Sequence, residues 1–181
     1  MKDESDGLLL RRVLAGETEV YAQLVERYQH RLGRYALRML GNQADAEEAL
    51  QDTFVRGYRS LARCTRPEGF GPWVFGILVN RCRTYAARRA RRQEVVVTSG
   101  AVVADASVAH SAEQDGWREA IMWAMERIAP DQREAFLLRH VEDLSYEEME
   151  ELTGVRAATL RMRVFRAREE LRRVLRETVL G

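Results

Sequence analysis

Apolar residues spaced three and four apart run through most of this chain, and that spacing confines it to helices. Val20, Tyr21, Leu24, Tyr28, Leu32, Tyr35 and Met39 fall on one face of a helix. Gly41-Asn42 stops it. A second helix from near Ala44 is predicted to bury Ala46, Leu50, Phe54, Tyr58 and Leu61. The stretch from Thr65 to Pro72 contains Pro67, Gly69, Gly71 and Pro72 and reads as a loop. A third helix is expected over residues 73–92, with Ile77, Leu78 and Tyr85 inward. Over residues 93–116 valine, serine and small residues replace the helical period, so a partly extended, mobile linker is expected. Val95-Val96-Val97 has the composition of a short strand, with nothing obvious to pair with. Helical patterning resumes with Trp117, Ala120, Ile121, Ala124 and Ile128 on one stripe. The predicted fold is all-α: two small helical domains, 1–92 and 117–181, joined by a flexible linker over 93–116, the second built from four helices.

Within residues 145–176 the pattern sharpens. Ser145 followed three residues later by Glu148 is a capping box, the signature of a helix start. That helix is short and stops at Thr153-Gly154; a long arginine-rich helix follows from about Ala157 to Arg176. Helix, tight turn and basic helix together make a helix-turn-helix, whose second helix enters a DNA major groove. On that helix Leu160, Val164, Ala167, Leu171 and Leu175 share an inward stripe, while Thr159, Met162, Phe165, Arg166 and Arg173 point outward. Met162 and Phe165 break the rule that an outer face is polar. Apolar groups among arginines suit a DNA surface, where thymine methyls offer apolar contact and guanine accepts from arginine. A merely solvated basic helix is the plainer alternative. The preceding segment is acidic, with Glu142, Asp143, Glu147, Glu148, Glu150 and Glu151. Phosphate would repel it, so it is expected to face solvent or a basic protein.

The first domain divides its charge in the same way. Arg81, Arg83, Arg88, Arg89, Arg91 and Arg92 form an acid-free run preceded by Phe70, Trp73 and Phe75. Basic residues beside aromatics are what single-stranded nucleic acid needs: arginines for phosphates, rings for unstacked bases. Core packing accounts for Trp73 and Phe75 equally well. Asn80 has the amide that reads an adenine edge, or it is an exposed polar residue; spacing does not choose. Asp45, Glu47, Glu48 and Asp52 open the second helix, where acids favour the helix dipole. They also leave an acidic patch that a basic protein can use. An acidic face and a basic face on one small domain suggest an adaptor between protein and DNA.

Net charge is +1, from 29 Lys+Arg against 28 Asp+Glu, so distribution rather than total carries this argument. Lys2 is the only lysine. Arginine's planar fork suits phosphate and guanine, and GC-rich codon usage favours arginine as well. Cys64 and Cys82 form no CxxC pair and have no histidine at ligand spacing; reduced structural thiols are expected. The apolar run in MKDESDGLLL is too short for a signal peptide, and no stretch is long enough to span a bilayer, so no membrane insertion and a cytoplasmic location are expected. His30, His110 and His140 are scattered, with no nucleophile or metal set. Neither catalysis nor a metal nor a cofactor is expected.

Three segments carry a family resemblance. They are Asp45-Ala46-Glu47-Glu48-Ala49-Leu50-Gln51-Asp52-Thr53-Phe54; then Phe70, Trp73, Ile77, Asn80 and Arg81; then Asp131-Gln132-Arg133-Glu134-Ala135-Phe136 through Leu144-Ser145-Tyr146-Glu147-Glu148 to Arg163, Arg166-Ala167-Arg168 and Leu171. In this order the chain resembles a group IV, or extracytoplasmic-function (ECF), sigma factor of the sigma-70 superfamily, over nearly its whole length. The resemblance implies that Asp45, Glu48, Gln51, Asp52 and Phe54 dock on the clamp of the largest subunits of core RNA polymerase, with a further contact at the flap. It implies that Phe70, Trp73 and Asn80, with the loop from about Cys64 to Phe70, hold bases of the opened minus-ten element, while Arg81, Arg83, Arg88 and Arg89 hold its phosphates. Thr159, Arg161, Met162, Arg163, Phe165 and Arg166 are expected to read the minus-thirty-five element as duplex. Ala158, Met162 and Thr84 depart from the common family pattern and leave the promoter sequence open. With Gly181 the last residue, control by a separate anti-sigma factor is expected. A helix-turn-helix regulator that never touches polymerase is the other reading. It explains residues 145–176 but neither the acidic second helix nor the basic-aromatic third.

Overall fold

The computed structural model describes residues 4–99 and 121–180. The first helix is one the periodicity did not announce. α1 (Asp6–Leu14) starts at Ser5, whose hydroxyl accepts from the Leu8 amide, and it buries Leu9, Leu10 and Val13. Three successive leucines at 8–10 hide the helical period, because only two of them face inward. A short 3-10 turn, Thr18–Val20, leads into α2 (Tyr21–Leu40). Val20, Tyr21, Leu24, Leu32, Tyr35 and Met39 are buried as their spacing predicts. Gly41, at φ 76°, ends that helix.

Asn42 then caps α3 (Gln43–Arg59) by accepting from the Asp45 amide at 2.7 Å. Ala46 and Phe54 are buried, whereas Tyr58, predicted inward, is 42 % exposed. Tyr58 lies near the end of the helix and meets Tyr21 edge-on at 5.2 Å instead of entering the core. Two 3-10 turns, Leu61–Arg63 and Pro67–Gly69, form the connection to α4 (Phe70–Ser99). This helix corrects the sequence reading at both ends. It begins at Phe70 because glycine and proline are tolerated in a first turn, where amides lack intrahelical partners anyway. It runs through Val95, Val96 and Val97 to Ser99, so the valines join a helix rather than a strand. Valine is a weaker helix former than alanine but not a breaker. The remainder of the expected linker, with Trp117 and Ala120, lies outside the described residues.

Residues 121–126 are helical (α5). α6 (Pro130–His140), α7 (Tyr146–Thr153) and α8 (Ala157–Leu180) follow. Ala124 and Ile128 are buried as predicted; Ile121 is exposed, and Met125 is buried. α8 packs on α6 and α7 through Leu160, Val164, Ala167 and Leu171 as predicted, and through Val174 rather than the predicted Leu175, which is only half-buried. Fully burying a leucine or valine contributes roughly 1.5–3 kcal/mol, so this stripe fixes which side of α8 meets solvent. Arg133 on α6 is buried and donates to the carbonyls of Glu126 and Ile128 at the end of α5. Two compact units result, Met1–Leu37 with Asn42–Cys82, and Arg38–Gly41 with Arg83–Gly181, so α4 contributes to both. The described residues contain no strand, and no described helix is long and apolar enough to cross a membrane.

Candidate nucleic-acid and polymerase interfaces

α7 and α8 meet at a turn built by two local devices. Ser145 Oγ accepts from the Glu148 amide at 3.1 Å, and Glu148 accepts from the Ser145 amide at 2.8 Å, completing the capping box. The amide hydrogen bond, then the Ser145 hydroxyl, hold the Glu148 carboxyl below the usual carboxylate range. At the far end Gly154 takes φ 69°, ψ 8°, the left-handed geometry that lets the chain turn sharply into α8.

The outer face of α8 matches the predicted one. Thr159, Arg161, Met162, Phe165 and Arg166 are exposed, and Met162 and Phe165 expose 52 % and 60 % of their surface. The arginines differ in surroundings. Arg163 is half-buried and pairs with Asp131 of α6 at 3.1 Å. Arg161 stacks over the Tyr146 ring at 4.9 Å and lies 3.5 Å from Glu147. Arg166 sits one turn from Met162 with its side chain exposed. Farther along, Arg172 pairs with Glu169, and Arg173 with Glu170 and Glu177. Acids therefore offset Arg161 and Arg163 as well as Arg172 and Arg173, and Arg166 stands exposed between the two groups.

On α3, Glu48, Gln51 and Asp52 lie within one turn of each other, with Glu48 and Gln51 exposed and Asp52 partly so. The side-chain amide of Asn42 donates to the Asp45 carboxylate at 2.7 Å and fixes its direction. Asp52 accepts from Arg56 Nε at 3.1 Å and from Arg81 of α4 at 3.2 Å. Burial opposes ionisation of Asp52, but the hydrogen bonds from Arg81 and Arg56 outweigh it and lower its pKa. Phe54, expected on this docking face, is buried, with its carbonyl accepting from Tyr21 Oη at 2.9 Å. It supports the face from beneath. Val55, which the sequence reading passed over, is 41 % exposed one turn beyond Gln51. Its spacing of four from Gln51 was the available signal.

The α4 surface assembles part of the predicted set. Trp73, Ile77 and Asn80 share one stripe; Trp73 and Ile77 are half-buried and Asn80 is exposed. Arg88, two turns beyond Asn80, is exposed and lies over the Tyr85 ring at 5.7 Å. Other members stand apart. Phe70 is fully buried against Tyr21, Tyr28 and Trp73, so its ring anchors the helix start rather than facing a base. Arg83 makes a two-point pair with buried Glu134, at 2.6 and 2.7 Å, and also donates to the Thr153 carbonyl. Arg89 lies about two and a half turns beyond Asn80 and so on the opposite side of the helix. It donates to the Leu40 carbonyl at 2.9 Å. Among the described residues no group of three or more His, Cys, Asp or Glu could hold a metal ion. Cys64 and Cys82 are buried, and they form no disulfide with each other.

Residues 24–92 match the sigma-70 region 2 family, and residues 118–171 match sigma-70 region 4. The chain is 32 % identical to the RNA polymerase sigma factor CarQ of Myxococcus xanthus, covering 94 % of this chain and 98 % of CarQ. This chain belongs to the ECF sigma factors of the sigma-70 family. The ECF RNA polymerase sigma-E factors of Escherichia coli K12 and Salmonella typhimurium are 28 % identical to it over 92 % of each chain. Among solved structures, the sigma factor RpoE of Bartonella quintana, in complex with the anti-sigma factor NepR, aligns with a TM-score of 0.69. The alignment has 27 % identity and covers 86 % of this chain and 96 % of that one. CnrH, in complex with the cytosolic domain of CnrY, shares the fold at a TM-score of 0.64 and 24 % identity, over 95 % of this chain and 97 % of that one. An alternative sigma factor, acting in transcription initiation, accounts for both halves of the chain. A helix-turn-helix regulator independent of polymerase accounts only for the second half and is not favoured.

Proposed function

We propose that this ECF sigma factor binds core RNA polymerase through α3 and reads its promoter through α4 and α8. Asp45, Glu48, Gln51 and Asp52, with Val55 beside them and Phe54 beneath, form the surface for a basic clamp. The region 4 domain adds a contact at the flap, for which the acidic α7 is suited. Trp73, Ile77 and Asn80, with the loop over residues 64–70, receive bases unstacked from the minus-ten element. Arg88 follows the phosphates, and Arg81 joins it only by giving up its pair with Asp52. Each trapped base contributes about 1–3 kcal/mol in comparable single-strand sites, which lets binding itself drive opening. Thr159, Arg161, Met162, Arg163, Phe165 and Arg166 read the minus-thirty-five duplex. Arg83 and Arg89 join the promoter contacts only if they exchange Glu134 and the Leu40 carbonyl for phosphate.

The observation that carries this reading is the face of α8, where Met162 and Phe165 stand exposed beside Arg161 and Arg166. A solvated helix has no reason to expose two large apolar side chains there, whereas a major groove supplies methyl groups and guanine acceptors. The likeness to the RpoE–NepR complex supports a further partner, an anti-sigma factor that occupies these surfaces until a signal releases it. The test is run-off transcription with core RNA polymerase on fragments of the host's DNA, with RNA 5′ ends mapped. New starts sharing two spaced upstream elements are expected. Duplex binding without new starts would favour a regulator that does not engage polymerase.

A further inference from the structure

α1 lies outside the region 2 match, which begins at residue 24, yet it packs on both 3-10 turns of the loop between α3 and α4. Leu9, Leu10 and Val13 give it an apolar underside. Asp6, in its first turn, accepts from the Arg27 guanidinium and from the Tyr28 hydroxyl, and the Asp6 side chain is only 13 % exposed. Arg27 also donates to the Glu4 carbonyl at 2.8 Å, tying down the start of α1. The Tyr28 ring in turn meets Phe70 edge-on, with centroids 5.5 Å apart. It also lies against Gly71: a Cβ there would fall 2.8 Å from Tyr28 Cε1 and from its hydroxyl oxygen. Glycine at 71 is therefore a matter of space, and Tyr28 fills it.

These contacts form one chain of constraint. Asp6 holds Tyr28, and Tyr28 holds Phe70 and Gly71, the joint between the loop and α4. Phe70 is fully buried there, while Thr65, Arg66 and Glu68 of the loop face solvent. Burial, then the hydrogen bond to Asp6, push the Tyr28 phenol up to about 12, so it remains a donor over the working pH range.

We infer that Asp6 and Tyr28 are positioning residues for base recognition in the minus-ten element, fixing the loop of residues 64–70 against α4 without touching DNA themselves. This rests on the assignment of that loop to base capture proposed above.

The test uses the full chain with core RNA polymerase on promoters randomised through the minus-ten element and, separately, through the minus-thirty-five element. Tyr28→Phe removes only the hydroxyl and keeps the ring against Phe70; Asp6→Ala removes the acceptor. Each should reduce base preference at one minus-ten position about tenfold, toward the low end of what one stacked base contributes in single-strand sites. Minus-thirty-five preference should not change, and the double variant should match either single one, because the two residues act in series. Variants that keep the wild-type preference, or lose output evenly across all sequences, would overturn the inference and leave α1 a purely structural brace. A wild-type holoenzyme with no minus-ten preference would remove the loop's assignment itself, and the inference with it.

Discussion

Arg163 and Arg166 occupy one helix, but their surroundings differ. Arg163 is drawn toward α6 by Asp131, whereas Arg166 stands exposed beside Met162 and Phe165. Arg166→Ala should therefore cost about 1–3 kcal/mol of binding at specific promoters if it meets a base edge. The comparison is between cognate and random duplex by titration at fixed salt; an equal loss on both would make it a phosphate contact. The spacing of α8 was enough to find this face. It was not enough to rank the arginines on it, because a partner such as Asp131 lies on another helix and leaves no mark in the local period.

At the scale of the element, the α7–α8 turn rests on its caps. Gly154 sits at positive φ with open space around it, so Gly154→Ala meets no neighbour and costs only backbone strain. About 1–2 kcal/mol is expected, read as a lowered midpoint in thermal or denaturant unfolding. The capping box adds a pH dependence with a definite sign. Glu148 titrates lower in the folded state than in the unfolded chain. Its stabilisation is therefore fully present above the ordinary carboxylate range and disappears as pH falls through the lower folded value. The stability gap between wild type and Glu148→Gln should close on acidification; a gap independent of pH would remove the carboxylate from the cap. Both caps were legible in the sequence, since Ser145, Glu148 and Gly154 act on their own neighbours. α1 was not, because a helix of nine residues gains its stability from what it packs on.

At the scale of the whole molecule, the proposed function separates two kinds of binding onto different helices. Asp52→Arg places a cation on the α3 face and removes the acceptor shared by Arg56 and Arg81. It should weaken core polymerase binding in a pull-down while duplex binding through α8 persists. Loss of both together would indicate unfolding instead.

The amino-acid sequence alone determined most of the helices, most of the inward stripe of α8, the capping box and the order of the two sigma regions. These follow from periodicity and from contacts within a few residues. Only the tertiary structure decided which side chains those helices consume. Phe70 and Phe54 are aromatic residues in segments expected to bind, yet both are buried, because neighbouring elements supply the surfaces that cover them. Arg83 and Arg89 belong to one basic run, yet one meets Glu134 and the other the Leu40 carbonyl. Which arginines remain turned toward solvent depends on acceptors distant in sequence, and those become neighbours only once the chain has folded.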